Sequence, residues 1–147
     1  MNENILREIF NEGAIPFIEW NEFSNYVRNA YTILIQTARR KHLITYYDLS
    51  QKINLPYNEW FPLKIGTIVG SCSCYENREG RPLISSIVVN SETNCPGNGY
   101  WGLPGIPPNL KCSSISPSFI DRTIWSPEQM VFWANEVNKV FDYWERN

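Results

Sequence analysis

Apolar residues recur along this chain at the three- to four-residue spacing of amphipathic helices. The longest such pattern runs from about Trp20 to Arg40, and it places on one face of a predicted helix Phe23, Val27, Ala30, Leu34 and Ala38. A shorter helix is predicted before it, capped by Asn2 and stopped by Gly13, with an apolar face made of Ile5, Leu6, Ile9 and Phe10. Residues 1–42 are therefore predicted to form a helical extension.

Two further helices are predicted in the middle of the chain. Thr45 followed by Asp48 is a helix-start signal, and a helix of about two turns would bury Leu49 and Ile53. A second helix is predicted to begin near Pro62 and to end before Gly80, with one side formed by Ile65, Ile68, Val69, Cys72 and Tyr75.

A β-hairpin is predicted after these helices. Residues 82–89 are rich in β-branched side chains and are bounded by turn formers, which is typical of a strand. Residues 90–99 read as a long turn, and Tyr100 and Trp101 can start a returning strand. The order of short helix, second helix and hairpin is that of a winged helix, in which the second helix enters a groove of the nucleic acid.

The C-terminal part predicts a loop and one more helix. Residues 104–125 hold several prolines without periodicity, and long loops of this kind often cover a site. Ser126, Pro127 and Gln129 have the pattern of an N-cap, a first-turn proline and a capping-box residue. The chain is thus predicted to be one α+β domain with a winged-helix-like core of two short helices plus a β-hairpin at 43–103, N-terminal helices at 1–42, a Pro-rich loop at 104–125 and a C-terminal packing helix at 126–147.

Composition and charge limit what this domain can do. The chain has 147 residues, of which 43% are hydrophobic, enough for a single core. Its formal net charge is −2, so any nucleic-acid binding must rest on a local patch and not on a global basic field. No secretion signal or membrane span is apparent, which predicts a cytoplasmic location, no membrane partner and reduced thiols at Cys72, Cys74, Cys95 and Cys112.

Several short stretches resemble one known family. The matching residues are 44–50, 65–66, 69–70, 82–91 and 99–100. They are similar to the C-terminal domain of alkylguanine-DNA alkyltransferases and of the alkyltransferase-like proteins, across a region from about Leu43 to Leu103. The resemblance implies a winged-helix core that binds DNA. Residues 80–99 also look like a set of short bacterial proteins, and that resemblance implies no chemistry.

The resemblance does not extend to the reactive motif of the family. The alkyl-accepting Pro-Cys-His-Arg motif would fall near residues 82–88, which contain Ser85 and Ser86 but neither cysteine nor histidine. A serine without a base partner is a poor acceptor, so irreversible alkyl transfer is excluded. Lys64 is the nearest cation to the arginine that intercalates in the family, which leaves base extrusion without its usual residue.

Other candidates for catalysis have simpler explanations. His42 follows three cations at a predicted helix end, where the helix dipole accounts for it without a catalytic partner. The cysteines lack the Cys-x-x-Cys spacing of zinc sites. The acidic residues near the hairpin are interpreted as solvated surface charge, namely Glu76, Glu79 and Glu92. No catalytic residue, metal or cofactor is predicted, and the balance leans away from an enzyme.

The leading hypothesis is binding of nucleic acid without catalysis. Aromatic side chains near the two middle helices could stack on bases, and we select Tyr46 and Tyr47. Exposed cations on the same segment would contact phosphates, and we select Lys64, Arg78 and Arg81. Three further cations lie just before this segment and add to its positive charge, namely Arg39, Arg40 and Lys41.

Two other functions stay open, and the sequence does not determine the oligomeric state. A nucleotide-like small molecule could bind in a pocket under the Pro-rich loop, near Ser85, Asn90, Tyr100 and Trp101. The acidic pI of about 5.4 favours this alternative. A protein–protein interaction through the aromatic surface would fit the acidity and the aromatic content equally well.

Overall fold

The computed structural model describes residues 1–13, 18–111 and 125–147. Five α-helices and two short strands occur in these ranges, in the order α1 (Glu3–Gly13), α2 (Trp20–Arg39), β1 (Ile44–Thr45), α3 (Tyr46–Lys52), α4 (Phe61–Arg78), β2 (Val88–Val89) and α5 (Pro127–Arg146). Short 3₁₀ helices lie at Ile84–Ile87, Asn98–Gly102 and Pro108–Leu110. The described chain is mainly helical with one small sheet, which confirms the predicted α+β class.

Side-chain caps fix the starts of three helices at the predicted positions. Asn2 Oδ1 accepts hydrogen bonds from two backbone N–H groups in the first turn of α1, at 2.9 and 3.2 Å. Thr45 Oγ1 accepts one from the Asp48 N–H at 3.1 Å, at the start of α3. At α5, Ser126 and Gln129 form a reciprocal capping box with bonds of 2.9 and 3.1 Å. Each cap satisfies backbone donors that the first turn of a helix leaves free.

Helices α1, α2, α4 and α5 enclose the main hydrophobic core, and all five core positions predicted for α2 are buried. A second, smaller core lies beside it and is built around aromatic residues, with Leu83, Cys95, Tyr100, Trp101, Ile106, Leu110 and Trp125 as its buried members. Within the described ranges, none of the helices has the length and apolar character needed to cross a membrane.

The predicted β-hairpin is wrong, because the two segments that should pair with each other do not. Val88 and Val89 pair in parallel with Ile44 and Thr45, so β1 is the partner of β2. Residues 84–87 of the first predicted strand form the 3₁₀ helix Ile84–Ile87, and the predicted returning strand lies in the 3₁₀ helix Asn98–Gly102.

Burial and side-chain hydrogen bonds explain this outcome. Residues 83–89 are all buried, so their β-branched and apolar side chains reflect core packing and not a half-exposed strand. The Ser85 N–H donates to Ser73 Oγ at 2.8 Å, and the Ser86 carbonyl accepts from Trp133 Nε1 at 2.9 Å. Side chains therefore satisfy backbone groups that a hairpin would have paired.

The Pro-rich loop is described only as far as residue 111. Ile106 and Leu110 point into the second core, so this first part is packed against the domain. Residues 112–124, including Cys112, lie outside the described residues, and so does the prediction that the whole loop covers a site.

Candidate functional site

The chain turns sharply at the end of α2. Lys41 adopts a left-handed φ of 56°, and its N–H donates to the Ala38 carbonyl at 2.9 Å. The His42 N–H donates to the Thr37 carbonyl at 3.2 Å. Such bonds satisfy the last carbonyls of a helix and redirect the chain, here into β1.

This turn directs Arg40 away from the cations on either side of it, Arg39 and Lys41. Arg39 Nη2 donates to the backbone oxygen of Asn147 at 2.8 Å, and Lys41 Nζ lies 3.2 Å from Glu145 Oε1. Both side chains thus reach the end of α5. Arg40, which lies between them in the sequence, lines a groove on the protein surface.

We call this feature the cationic groove. Its volume is about 600 Å³, and its walls come from the end of α2, β1, α3, β2 and the turn that follows β2. Its charged or polar lining includes Arg40, His42, Thr45, Asp48, Gln51 and Lys52. The groove therefore combines residues that lie far apart in the sequence, and the parallel β1–β2 pairing brings them together.

The charge of the groove is positive. Arg40 and Lys52 are both exposed, and no carboxylate in the described part of the chain lies within 4.0 Å of either one. Asp48 is the single acidic residue among the described residues that line the groove. His42 is exposed and lines the same groove. An anionic ligand such as a phosphate would be attracted here.

The three cations selected from the sequence all have carboxylate partners, unlike Arg40 and Lys52. Lys64 Nζ lies 3.0 Å from a carboxylate oxygen of Glu22, and Arg78 contacts two carboxylates of α1, at 2.7 and 2.5 Å. Arg81 Nη2 lies 2.9 Å from Glu76 Oε1. Lys64 and Arg78 are fourteen positions apart on α4, or about 21 Å along its axis. The structure pairs all three with acids and does not bring them together as one patch.

The predicted exposure of two members of this set is also wrong. Arg81 is largely enclosed between α2 and α4, where it donates to the Tyr31 hydroxyl oxygen at 3.2 Å as well as to Glu76. Lys64 is half-buried. Their carboxylate partners hold these side chains against the protein, so little of their charge is directed to solvent.

The prediction that Glu76 is a solvated surface charge is wrong, because its side chain is fully buried. Its Oε1 accepts hydrogen bonds from the Tyr31 hydroxyl at 2.6 Å and from Arg81 Nε and Nη2 at 3.1 and 2.9 Å. Burial and the hydrogen bond to Glu76 raise the pKa of Tyr31 well above its usual range. The three acidic residues named earlier do not converge on a metal site: Glu79 lies near Arg81 and Glu92 is exposed.

The two selected tyrosines have different roles. Tyr46 is half-buried, and its hydroxyl oxygen accepts a hydrogen bond from the Gly97 N–H at 2.8 Å. Burial raises the pKa of Tyr46 to about 12, against a lowering effect of that hydrogen bond. Tyr47 is 52% exposed and its ring is free to meet a ligand. Tyr46 therefore anchors α3 to the Gly97 turn, and Tyr47 is the one that faces solvent.

The alternative ligand pocket is filled by the protein itself. Ser85 Oγ lies 2.6 Å from Ser73 Oγ, Tyr100 and Ser86 share a hydrogen bond of 2.7 Å, and Trp101 is only 1% exposed. Asn90 is half-buried, and its Oδ1 accepts from the backbone of the turn after β2 at 2.8 Å. Tyr100 and Trp101 are members of the second core, and Ser85 is bonded to α4 through Ser73.

Metal-binding and cysteine chemistry receive no geometric support from the described residues. No group of three His, Cys, Asp or Glu side chains lies close enough to hold a metal ion in residues 1–13, 18–111 and 125–147. Cys72, Cys74 and Cys95 are free thiols, and burial raises the pKa of Cys72 well above its usual range.

The function of the cationic groove is inferred from its own side chains, because comparisons with known proteins found no match. No protein-family model, no curated protein and no solved structure matches this chain.

Proposed function

We propose that this protein binds nucleic acid without catalysis and that its phosphate-contacting surface is the cationic groove. The observation that carries the proposal is the pair Arg40 and Lys52, two exposed cations that line one groove without a carboxylate partner in the described chain. Phosphate contact is not assigned to Lys64, Arg78 and Arg81, because each of them is already paired with a carboxylate. A cytoplasmic location, as expected from the sequence, would give access to such a ligand.

We further infer that α3 and α4 are the helix pair of a winged-helix-like core related to the alkyltransferase-like proteins. In this proposal α3 approaches the nucleic acid, because Asp48, Gln51 and Lys52 on α3 line the groove. Helix α4 is less suited to enter a nucleic-acid groove, since nine of its residues are buried against the rest of the domain. The short parallel sheet takes the place of the expected hairpin.

A free nucleotide is the second candidate ligand. The groove volume of about 600 Å³ falls within the range of small-molecule sites, about 300–1,000 Å³. The same cations would contact its phosphates. If the ligand is a nucleic acid, a longer strand should bind more tightly than a mononucleotide. If the ligand is a free nucleotide, a longer strand should give no gain in affinity.

The test is a binding titration of labelled oligonucleotides at low and moderate salt, with ATP and GTP as competitors. Replacing Arg40 and Lys52 together by Ala should weaken binding and lower the salt dependence by about 0.7–0.9 per lost phosphate contact. The matched control removes two other exposed cations, Lys111 and Lys139, which do not line the groove. This control should bind like the parent.

Two results would contradict the proposal. One is a parent protein that binds no oligonucleotide at low salt, and the other is an R40A/K52A variant with unchanged affinity. Binding of mononucleotides with no gain for a longer strand would favour the second candidate instead.

A further inference from the structure

A cluster of aromatic rings includes one residue of α3, the helix that forms one wall of the cationic groove. The ring centroids of Tyr47 and Tyr57 lie 6.1 Å apart in an edge-to-face arrangement, and Tyr57 lies 4.6 Å from Phe61. Tyr47 and Tyr57 are 52% and 72% exposed, whereas Phe61 is buried. We call these three residues the aromatic cluster. Phe61 belongs to the core and contacts the Tyr57 ring, which in turn contacts Tyr47.

The aromatic cluster adjoins the groove through α3. Gln51 lines the groove one helical turn after Tyr47, and residues four apart on a helix lie on the same face, about 5–6 Å from one another. Asp48, the residue that follows Tyr47, also lines the groove. One cation of the groove, Lys52, and one exposed aromatic side chain, Tyr47, thus lie on the same short helix.

Resting on the proposed function above, we propose that the groove and the aromatic cluster form one site for single-stranded nucleic acid. Arg40 and Lys52 hold the sugar-phosphate backbone, and Tyr47 and Tyr57 stack on one or two unpaired bases. A positively charged groove beside aromatic side chains is the combination that single-strand binders use, because every base has a face on which to stack.

Two features favour a single strand over a duplex. Bases in a duplex are stacked on each other and cannot offer their faces to Tyr47, whereas unpaired bases can. The site also offers few cations, and the protein has a net charge of −2, so phosphate contacts alone would give only weak binding. Stacking supplies the affinity that the charge does not.

The experiment compares four labelled ligands of equal length by fluorescence anisotropy: oligothymidylate, oligouridylate, an abasic strand with the same phosphates, and a duplex. The intact chain should bind the two base-carrying single strands roughly tenfold more tightly than the abasic strand or the duplex. The ratio between oligothymidylate and oligouridylate distinguishes DNA from RNA as the preferred form of the ligand.

Variants at Tyr47 provide the protein side of the test. Tyr47→Leu keeps an apolar side chain and removes the aromatic face, so it should lower affinity for base-carrying strands roughly tenfold and leave abasic binding unchanged. Tyr47→Phe keeps the face and should stay within about twofold of the parent. Because the side chain is half-exposed, neither change should prevent folding.

The outcomes separate this inference from the proposed function. Equal affinity for abasic and base-carrying strands, or a Tyr47→Leu variant with full affinity, overturns the stacking role while R40A/K52A can still show that phosphates bind in the groove. Tighter binding of the duplex than of either single strand also overturns it. A parent that binds none of the four ligands overturns both proposals.

Discussion

Arg81 and Glu76 form an ion pair inside the protein, with Arg81 Nη2 2.9 Å from Glu76 Oε1. The Glu76 side chain is 0% exposed, and Oε1 also accepts a hydrogen bond from the Tyr31 hydroxyl at 2.6 Å. Arg81 therefore compensates a carboxylate that has been removed from water. Loss of the guanidinium would leave that charge buried and unpaired.

We expect Arg81→Ala to reduce the free energy of unfolding by about 3–5 kcal/mol, because breaking a buried pair from one side leaves the other charge uncompensated. Urea denaturation followed by tryptophan fluorescence measures this loss. Arg78→Ala is the matched control: it removes the arginine at the end of α4, three residues before Arg81, and its partners Glu8 and Glu12 are well exposed. Its cost should stay below about 1 kcal/mol. Equal losses in the two variants would contradict the assignment.

Most helices were predictable because their signals are local. The apolar face of α2 and the capping box of α5 follow from residues within a few positions of each other, and both are confirmed. Burial of Glu76 also left a signal, since it follows Cys72 by four positions and so falls on the apolar face of α4. We nevertheless interpreted Glu76 as exposed, because a carboxylate is rarely buried without a partner.

The sheet and the groove were not predictable in this way. Val88 pairs with Ile44, a residue 44 positions earlier, and a parallel pairing over that distance leaves no turn motif in the sequence. The groove depends on that pairing and on the left-handed turn at Lys41. At this turn Arg40 lines the groove, whereas Arg39 and Lys41 reach the end of α5. A run of three cations gives no indication which of them will find a carboxylate.

Substitution of Gly105 tests the described part of the Pro-rich segment. Gly105 has a φ of +92°, and an added Cβ would lie 2.6 Å from Asn77 Oδ1. Gly105→Ala should therefore destabilise the protein by about 1–3 kcal/mol, through backbone strain and displacement of the amide. Gly99→Ala is the control, because nothing lies within 4 Å of its added Cβ and its φ is not positive. Thermal unfolding of both variants checks the difference, and an unaffected Gly105→Ala protein would show that this segment packs otherwise.

Stability should fall in alkaline solution partly through Tyr46. Burial raises its pKa from 10.0 to about 12, so the folded protein holds the phenolic proton at pH values where the unfolded chain has lost it. The contribution of Tyr46 is fully present below pH 10 and is lost as the pH rises toward 12, by about 2–3 kcal/mol.

The measurement is urea denaturation at several pH values between 8 and 12. Tyr46→Phe removes the titrating hydroxyl and should show a smaller alkaline loss than the parent. At neutral pH it should be less stable by about 1 kcal/mol, since the Gly97 N–H loses its acceptor. An alkaline loss identical in both proteins would mean that other groups account for it, with Tyr31 and Tyr100 as the next candidates because their pKa values are also raised by burial.

Residues 82–88, the position at which the alkyl-accepting motif would fall, should accept no alkyl group, even when a cysteine is supplied. Ser85 and Ser86 are buried, and Ser85 Oγ lies 2.6 Å from Ser73 Oγ, so no side chain at this position reaches a base held outside the protein. A thiol there would also be buried beside the Ser73 hydroxyl, and burial disfavours the thiolate needed for attack. After incubation with duplex DNA that carries an alkylated guanine, mass spectrometry of the parent and of Ser85→Cys should show unchanged protein masses. A covalent alkyl adduct on residues 82–88 of the parent would contradict the absence of a nucleophile in this segment, and an adduct on Ser85→Cys alone would mean that this segment opens to the ligand in solution.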